Sequence, residues 1–185
     1  MRRFFDKIGF QNTLYYVDIV ANEVIKEYDF SIREIAKYIK LLKIALYKDT
    51  HSESERRWAL DWSGSLHFAM MIIAPIMVGV KMHNFSKYEA FIEGKDSSPL
   101  INIVCQMDLR CFSKLYSPDE TSLVDDEQGT YVSIEEKMNQ VYNAIFQERK
   151  DESVRIGEYS FGYHTKEALL RNVSLLSDSA DFSVE

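Results

Sequence analysis

Apolar residues recur at steps of three and four along most of the chain, the spacing that places them on one face of an α-helix. The first such segment predicts a helix from about Asn12 to Tyr28. A second follows the sequence SIRE at 31–34, where Ser31 and Glu34 form the capping-box pattern that begins a helix. The predicted core stripe of this second helix consists of Ile32, Ile35, Ile39, Leu42 and Leu46.

The most apolar segment of the chain is LHFAMMIIAPIMVGVKMH, at 66–83, and it belongs to a third predicted helix over about 53–82. The helix is polar on one face before Leu66 and apolar all round after it, which indicates that it enters the interior. Pro75 lacks a backbone N–H, so we expect a kink near 71–75. The uncharged run Phe68–Val80 is shorter than the roughly 20 residues that a bilayer span needs. It therefore favours a buried core helix over membrane contact.

The second half of the chain predicts shorter elements. An amphipathic helix is expected at 85–94, and another starts at Ser98 as N-cap and Pro99 as first helical residue. The alternation of apolar residues over 101–109 leaves a strand as the rival for 100–116. Residues 117–132 read as a long acidic loop, followed by a capping box, SIEE, at 133–136. The glycines and β-branched residues of 153–164 favour a small β-hairpin, after which Thr165 caps a last helix.

These patterns predict a mainly α fold. We expect a single-domain bundle of about five to six helices over 1–176, arranged around the central helix, with a frayed acidic tail at 177–185. The chain of 185 residues contains 7 Gly and 3 Pro, fewer turn-forming residues than a many-stranded β fold requires. Its length is that of one domain with a sizeable core.

Cysteine usage and the N-terminus bear on the compartment. Cys105 and Cys111, six residues apart on one predicted helix, point in different directions and cannot form a disulfide. Two buried thiols of this kind indicate a reducing environment. The N-terminal sequence MRRFFDKIGFQ has two arginines but no apolar run after them, so no secretory signal is predicted and the cytoplasm is the expected location.

The sequence contains no linear motif for catalysis or for a metal. It lacks HExxH, Glu-x-x-His, GxSxG, GxGxxG and the P-loop. No catalytic residue, cofactor or metal is therefore predicted. One enzyme-like or ligand-binding alternative stays open, a pocket at the Pro75 kink near His67, because a kinked buried helix can open a cavity.

Charge is distributed unevenly along the chain, which has a net charge of −7. Residues 117–185 carry 15 acidic and 6 basic residues, and such a surface favours a basic partner over a nucleic acid. Within it, a docking strip for a basic protein is predicted at Asp119, Glu120, Asp125, Asp126 and Glu127.

A second charged surface lies on the helix at 31–48, opposite its core stripe. Its residues are Arg33, Lys37, Lys40, Ile44 and Tyr47. The interpretations are a solvated face, or a surface for an acidic partner or a phosphate backbone. The leading hypothesis is a non-catalytic cytoplasmic module that binds a basic protein. An immunity protein or antitoxin that neutralises a nuclease-like toxin is the concrete version. Nucleic-acid binding is the weaker alternative, and no membrane partner is expected.

Overall fold

A computed structural model describes residues 15–47, 64–107, 123–124, 131–147, 153–156 and 159–174. Within these ranges the chain is mainly helical, as predicted, and the hairpin expected near 153–164 is present. Seven helices are described: α1 (Tyr15–Glu27), α2 (Ile32–Tyr47), α3 (Gly64–His83), α4 (Phe85–Ile92), α5 (Ser98–Val104), α6 (Ile134–Phe146) and α7 (Tyr163–Ser174). Four short strands form two antiparallel pairs, β1 (Leu123–Val124) with β2 (Tyr131–Val132) and β3 (Val154–Ile156) with β4 (Tyr159–Phe161).

Helix α3 lies at the centre of the bundle. It packs against α1, α2, α4, α5 and α7. Every residue from Phe68 to Val80 is buried, which confirms the prediction of a central core helix. At 20 residues, α3 is also the one helix in the described ranges that is long and apolar enough to cross a membrane. Because 72% of its apolar segment is buried within the fold, the length and apolar character of α3 carry no information on localisation.

The regular geometry of α3 is interrupted immediately before Pro75. Residues Ala69–Ile73 form a π-helical turn, in which the N–H of Ala74 donates to the carbonyl of Ala69, five residues earlier. Pro75 cannot donate a backbone hydrogen bond, and π turns and prolines are both recognised causes of helix kinks. The π turn overlaps the predicted interval, 71–75, and begins two residues before it.

Two glycines define where α3 begins and how closely its neighbours approach. Gly64 has a φ of +62°, a left-handed conformation that the interior of a right-handed helix does not contain, so α3 begins there. The earlier part of the predicted helix, 53–63, lies outside the described residues. Near the other end of α3, a Cβ at Gly79 would overlap Val24 Cγ1 of α1. The contact between α1 and α3 therefore requires glycine at position 79.

The capping box of α2 forms as predicted. Ser31 Oγ accepts a 3.4 Å hydrogen bond from the N–H of Glu34, and Glu34 Oε2 accepts a 2.8 Å bond from the N–H of Ser31. The predicted core stripe is correct for Ile39, Leu42 and Leu46 but wrong for Ile32, which is 89% exposed. Ile32 is the first residue of the helix, and its side chain lies beyond the edge of the core.

Helix α4 ends in a tight cap. Gly94 has a φ of +77°, and its N–H donates to the carbonyl of Phe91. The N–H of Lys95 donates to the carbonyl of Ala90. These two bonds define a Schellman motif. Tyr142 of α6 extends this network, because its hydroxyl donates to the Phe91 carbonyl at 2.7 Å and accepts from the N–H of Asp96 at 3.2 Å.

Helix α5 settles the choice between helix and strand for 98–104, and its start corrects the predicted cap. The N-cap is Ser97 instead of Ser98, and Ser97 Oγ bonds Asn139 Oδ1 of α6 without capping its own helix. The N–H of Ser98 instead donates a 2.9 Å hydrogen bond to Asp96 Oδ1. Residues 108–116 of the predicted helix lie outside the described residues.

Further predictions in the second half of the chain need correction. Thr165 is not the N-cap of the last helix, because α7 begins at Tyr163 and Thr165 is fully buried in its first turn. The segment 117–132 is not an uninterrupted loop, since β1 pairs with β2 inside it. Cys105 is exposed, not buried, and Cys111 lies outside the described residues, as does the predicted tail at 177–185.

Two lysine side chains reach carbonyl groups at the C-terminal ends of helices. Lys166 Nζ donates to the carbonyl of Phe146, the last residue of α6, at 3.3 Å. Lys81 Nζ donates to the carbonyl of Val173 near the end of α7, at 3.4 Å. The final carbonyls of a helix have no partner within it, and a cation is favoured there by the helix dipole. Both bonds join different helices and so help to fix the bundle.

Candidate functional site

The turn between α1 and α2 meets the C-terminal end of α3 at one end of the bundle. Helix α1 ends in a Schellman motif, in which the N–H of Asp29 donates to the Lys26 carbonyl and that of Phe30 to the Ile25 carbonyl. Asp29 occupies the left-handed position with a φ of +48°, which in this motif is usually glycine. This cap turns the chain so that the rings of Tyr28 and Phe30 face α3.

His83, the last residue of α3, stacks on Tyr28. The two ring centroids are 4.7 Å apart with an interplanar angle of 21°, and the ring of Phe30 is tilted at 6.4 Å from the imidazole. His83 is exposed, so the outer part of the stack faces solvent. Burial, followed by the charges of Glu27 and Asp96, raises the pKa of Tyr28 far above its ordinary value. The phenol of Tyr28 is therefore neutral and can act as a hydrogen-bond donor.

Two exposed carboxylates near this stack are oriented by neutral hydrogen-bond donors. Gln106 Nε2 donates to Glu27 Oε2 at 3.0 Å, and Asn102 Nδ2 donates to Glu27 Oε1 at 3.4 Å. Glu34 Oε2 accepts from both the N–H and the hydroxyl of Ser31, at 2.8 and 2.7 Å.

These hydrogen bonds keep both carboxylates in fixed positions without neutralising them. The hydroxyl and the amide of Ser31, together with the nearby His83, hold the pKa of Glu34 below its ordinary range. Among the described residues, the ion pairs are Lys26 with Glu23 and Lys95 with Glu93, so neither Glu27 nor Glu34 has a cationic partner there.

Large apolar side chains are exposed at the same end. Ile32, next to the cap of α2, is 89% exposed, and Phe85, two residues after His83, is 56% exposed. Burial of such side chains by a partner is favourable, and exposed apolar groups beside polar ones are typical of interaction surfaces. We define the end patch as Tyr28, Ile32, His83 and Phe85 together with the carboxylates of Glu27 and Glu34.

The predicted pocket residues, His67 and Pro75, both belong to α3. His67 and Pro75 are eight residues apart on α3, which corresponds to about 12 Å along a helix. His67 is half-buried and has an interaction partner, whereas Pro75 is buried and its carbonyl accepts a 3.1 Å hydrogen bond from Tyr38. The pocket near the Pro75 kink stays a prediction.

The predicted basic face of α2 is partly open to solvent. Arg33 and Lys40 are exposed, and Lys37 and Ile44 are half-buried. Lys37 has an interaction partner, and the side chain of Tyr47 lies outside the described part of the structure. The face therefore presents cations over most of its length, with Glu34 occupied in the helix cap.

All five residues of the predicted acidic strip lie outside the described residues. Asp119 and Glu120 precede β1, and Asp125, Asp126 and Glu127 lie between β1 and β2 in the sequence. Their backbone neighbours Leu123–Val124 and Tyr131–Val132 are paired. The strip thus stays a prediction.

The described residues offer little for metal binding or nucleophilic chemistry. They contain no group of three or more His, Cys, Asp or Glu side chains that could hold a metal ion. Cys105 is exposed as a residue, but partial burial of its thiol, followed by the charge of Glu135, raises the pKa of the thiol and so lowers its thiolate fraction.

Sequence reasoning missed the end patch because its members are separated along the chain. Glu27 reads as a solvated helix residue and Glu34 as a helix cap, and both readings are correct locally. One feature of the sequence indicated the exposure of Ile32. This residue directly follows the N-cap, and side chains at the first helical position often lie outside the core that the later turns of the helix contact.

No protein-family model, no curated protein and no solved structure matches this chain. The fold and the end patch therefore define the class in structural terms only, as a mainly helical protein with an exposed apolar and acidic surface at one end.

Proposed function

We propose that the protein is a non-catalytic cytoplasmic binding module that holds one basic protein partner at the end patch. The observation that carries this proposal is the exposure of Ile32 and Phe85, which lie near the Tyr28–His83 stack in the chain: Ile32 follows Tyr28 by four residues and Phe85 follows His83 by two. Interface cores are enriched in aromatic residues, and a few buried anchors supply most of the binding energy. Ile32 and Phe85 are the anchors of this surface.

The basic character of the partner follows from charge. Glu27 and Glu34 present carboxylates at the patch, and neither forms an ion pair with a described cation. Opposite charges accelerate association and disfavour acidic competitors. An immunity protein or antitoxin that neutralises a nuclease-like toxin is the specific version of this proposal, since nucleases carry basic surfaces for their phosphate substrates.

The first experiment identifies the partner by cross-linking and affinity purification from the source cells, and then measures the affinity of the purified pair. We expect Ile32→Ser combined with Phe85→Ser to weaken binding at least tenfold. Val154→Ser is the matched control, because Val154 is 42% exposed but lies on β3. An affinity that is unchanged by the double substitution would remove the end patch as the interface.

The acidic strip is tested with the same purified pair. A variant with Asp125→Asn, Asp126→Asn and Glu127→Gln removes three charges and leaves the end patch intact. If this variant alone weakens binding, the proposal of a basic partner is retained and the acidic strip, instead of the end patch, is its interface. If both sets of variants weaken it, the partner spans both surfaces.

Nucleic-acid binding through the basic face of α2 is the second candidate, and the exposure of Arg33 and Lys40 favours it. This function predicts that affinity for a short RNA or DNA duplex falls steeply with salt, and that Arg33→Gln with Lys40→Gln reduces the slope by about 2. No measurable binding at low salt would exclude it.

A further inference from the structure

We infer that the end patch recognises an arginine side chain flanked by apolar residues in a partner segment. This inference rests on the proposed function and specifies the chemistry of the partner at the same site. Its basis is the combination of oriented carboxylates, a stacked aromatic surface and exposed apolar side chains in one place.

The first step concerns the open acceptor positions of the two carboxylates. A carboxylate offers about four lone-pair positions. Glu27 uses one on each oxygen, for Gln106 and Asn102. Glu34 accepts both of its Ser31 bonds on Oε2, so these bonds leave its Oε1 available. Each group therefore retains capacity for further donors from a partner.

The second step concerns the type of donor that fits. The existing donors are amides, a backbone N–H and a hydroxyl, all neutral, so both carboxylates keep their negative charge. A guanidinium carries five N–H donors in a plane and can bond a carboxylate while it stacks on an aromatic ring. A lysine ammonium carries charge but cannot stack in this way.

The third step is the stacking surface. The imidazole of His83 stacks on one face of the Tyr28 ring, with the ring centroids 4.7 Å apart. His83 itself is exposed, so the outer face of its imidazole is available for stacking. A planar cation that approaches this face lies near Glu34, because Glu34 is hydrogen-bonded to Ser31 and the preceding residue, Phe30, has its ring 6.4 Å from that of His83. Stacking and ion pairing can therefore be satisfied by one side chain.

The fourth step explains the apolar neighbours. Ile32 and Phe85, at the same end of the bundle, are exposed at 89% and 56%. A single charged group at an exposed site contributes little binding energy, whereas burial of apolar area adds to it. Arg33 directly follows Ile32 and Lys87 lies two residues after Phe85 in the chain, and their charges disfavour a segment with many cations. One arginine between apolar residues fits this balance better than a polybasic run.

The test is a phage-displayed library of random twelve-residue peptides, selected on the full-length protein. Enriched peptides are then synthesised and measured by fluorescence anisotropy. We expect arginine next to apolar residues in the enriched set. Replacement of that arginine by lysine should weaken binding at least fivefold, and by norleucine at least tenfold.

The matched variants are Glu27→Gln and Glu34→Gln in one chain. Glutamine also serves in a capping box, so this change removes charge while the helix cap is kept. The variant should lose at least tenfold in affinity for the arginine peptides. Glu167→Gln, which removes an exposed charge from α7, should leave that affinity unchanged.

The outcomes separate this inference from the proposed function. If enriched peptides are apolar without arginine and their binding is lost in Phe85→Ser, the surface stands and the arginine inference is wrong. Lysine peptides that bind as tightly as arginine peptides also overturn it. If no enriched peptide depends on Ile32, Phe85, Glu27 or Glu34, both the inference and the end patch fail.

Discussion

The hydroxyl of Tyr38 on α2 donates a 3.1 Å hydrogen bond to the carbonyl of Pro75 on α3, and both residues are buried. This bond ties the central helix to its neighbour at the point where the helical geometry changes. Tyr38→Phe keeps the ring and removes only the donor, so we expect it to lower the free energy of unfolding by about 1 kcal/mol. Urea denaturation of the two proteins measures this difference, and an unchanged midpoint would show that the bond contributes nothing.

Gly79 should tolerate no side chain while Val24 is present. A methyl group at position 79 would overlap Val24 Cγ1, so Gly79→Ala is expected to destabilise the protein by about 1–3 kcal/mol, the range for overpacked cores. Val24→Ala combined with Gly79→Ala should recover part of this loss, because the overlapping atoms are then gone. A double-mutant cycle in thermal unfolding measures the coupling. Strictly additive effects would contradict the direct clash.

Glycine is favoured at the left-handed position of both Schellman caps, so a substitution to glycine and one from glycine should have opposite effects. Asp29→Gly relieves a left-handed conformation at a residue with a Cβ, and we expect a gain in stability of up to about 1 kcal/mol. Gly94→Ala introduces that strain and brings a Cβ to 3.0 Å from the Phe146 carbonyl oxygen, so it should cost more than about 1 kcal/mol. Each substitution serves as the control for the other in chemical denaturation, and effects of the same sign would be inconsistent with this account.

Buried tyrosines predict a loss of stability in alkali. Burial raises the pKa of Tyr88 and that of Tyr142 to about 12, and that of Tyr38 well above its ordinary value. A raised pKa means that the folded state holds the proton more tightly than the unfolded chain, whose tyrosines titrate near pH 10. The stabilising effect is therefore complete below about pH 10 and is lost as the pH rises towards 12.

Urea titrations at several pH values, followed by near-ultraviolet absorbance of tyrosinate, measure this loss. Lys81 opposes it, because burial lowers the pKa of its ammonium group. Tyr142→Phe isolates one contribution and should make the decrease in unfolding free energy with pH shallower. An identical pH dependence in wild type and variant would contradict the assignment to Tyr142.

Local signals in the sequence predicted the helices well. The start of α2 could be predicted from Ser31 and Glu34 alone, because the donors and acceptors of the capping-box hydrogen bonds lie within four consecutive residues. Pro75 marked the irregular part of α3 for a similar reason, because its missing N–H is a property of one residue. The alternative between helix and strand at 100–104 could not be decided by apolar spacing, because both periods fitted.

The candidate site could not be predicted from these local signals. Tyr28 and His83 stack only because α1 packs closely against α3, and that approach depends on the absence of a side chain at Gly79. Glu27 is oriented by amides about 75 residues further along the chain. Such relationships follow from tertiary packing, which a single sequence does not display. The exposure of Ile32 is likewise decided by where the core ends.

The π turn at Ala69–Ile73 has a consequence for chain length. A hydrogen bond from residue i to residue i+5 closes a ring with one residue more than the α-helical ring, so this turn holds an extra residue inside the buried part of α3. Removal of one residue from this turn can convert it to ordinary α-helix while Phe68 and Pro75 keep their orientations. The same deletion at Met77 would rotate every later side chain of α3, including His83, by about 100°. The core of this protein therefore contains one place where its length can change without altering the surface at its end.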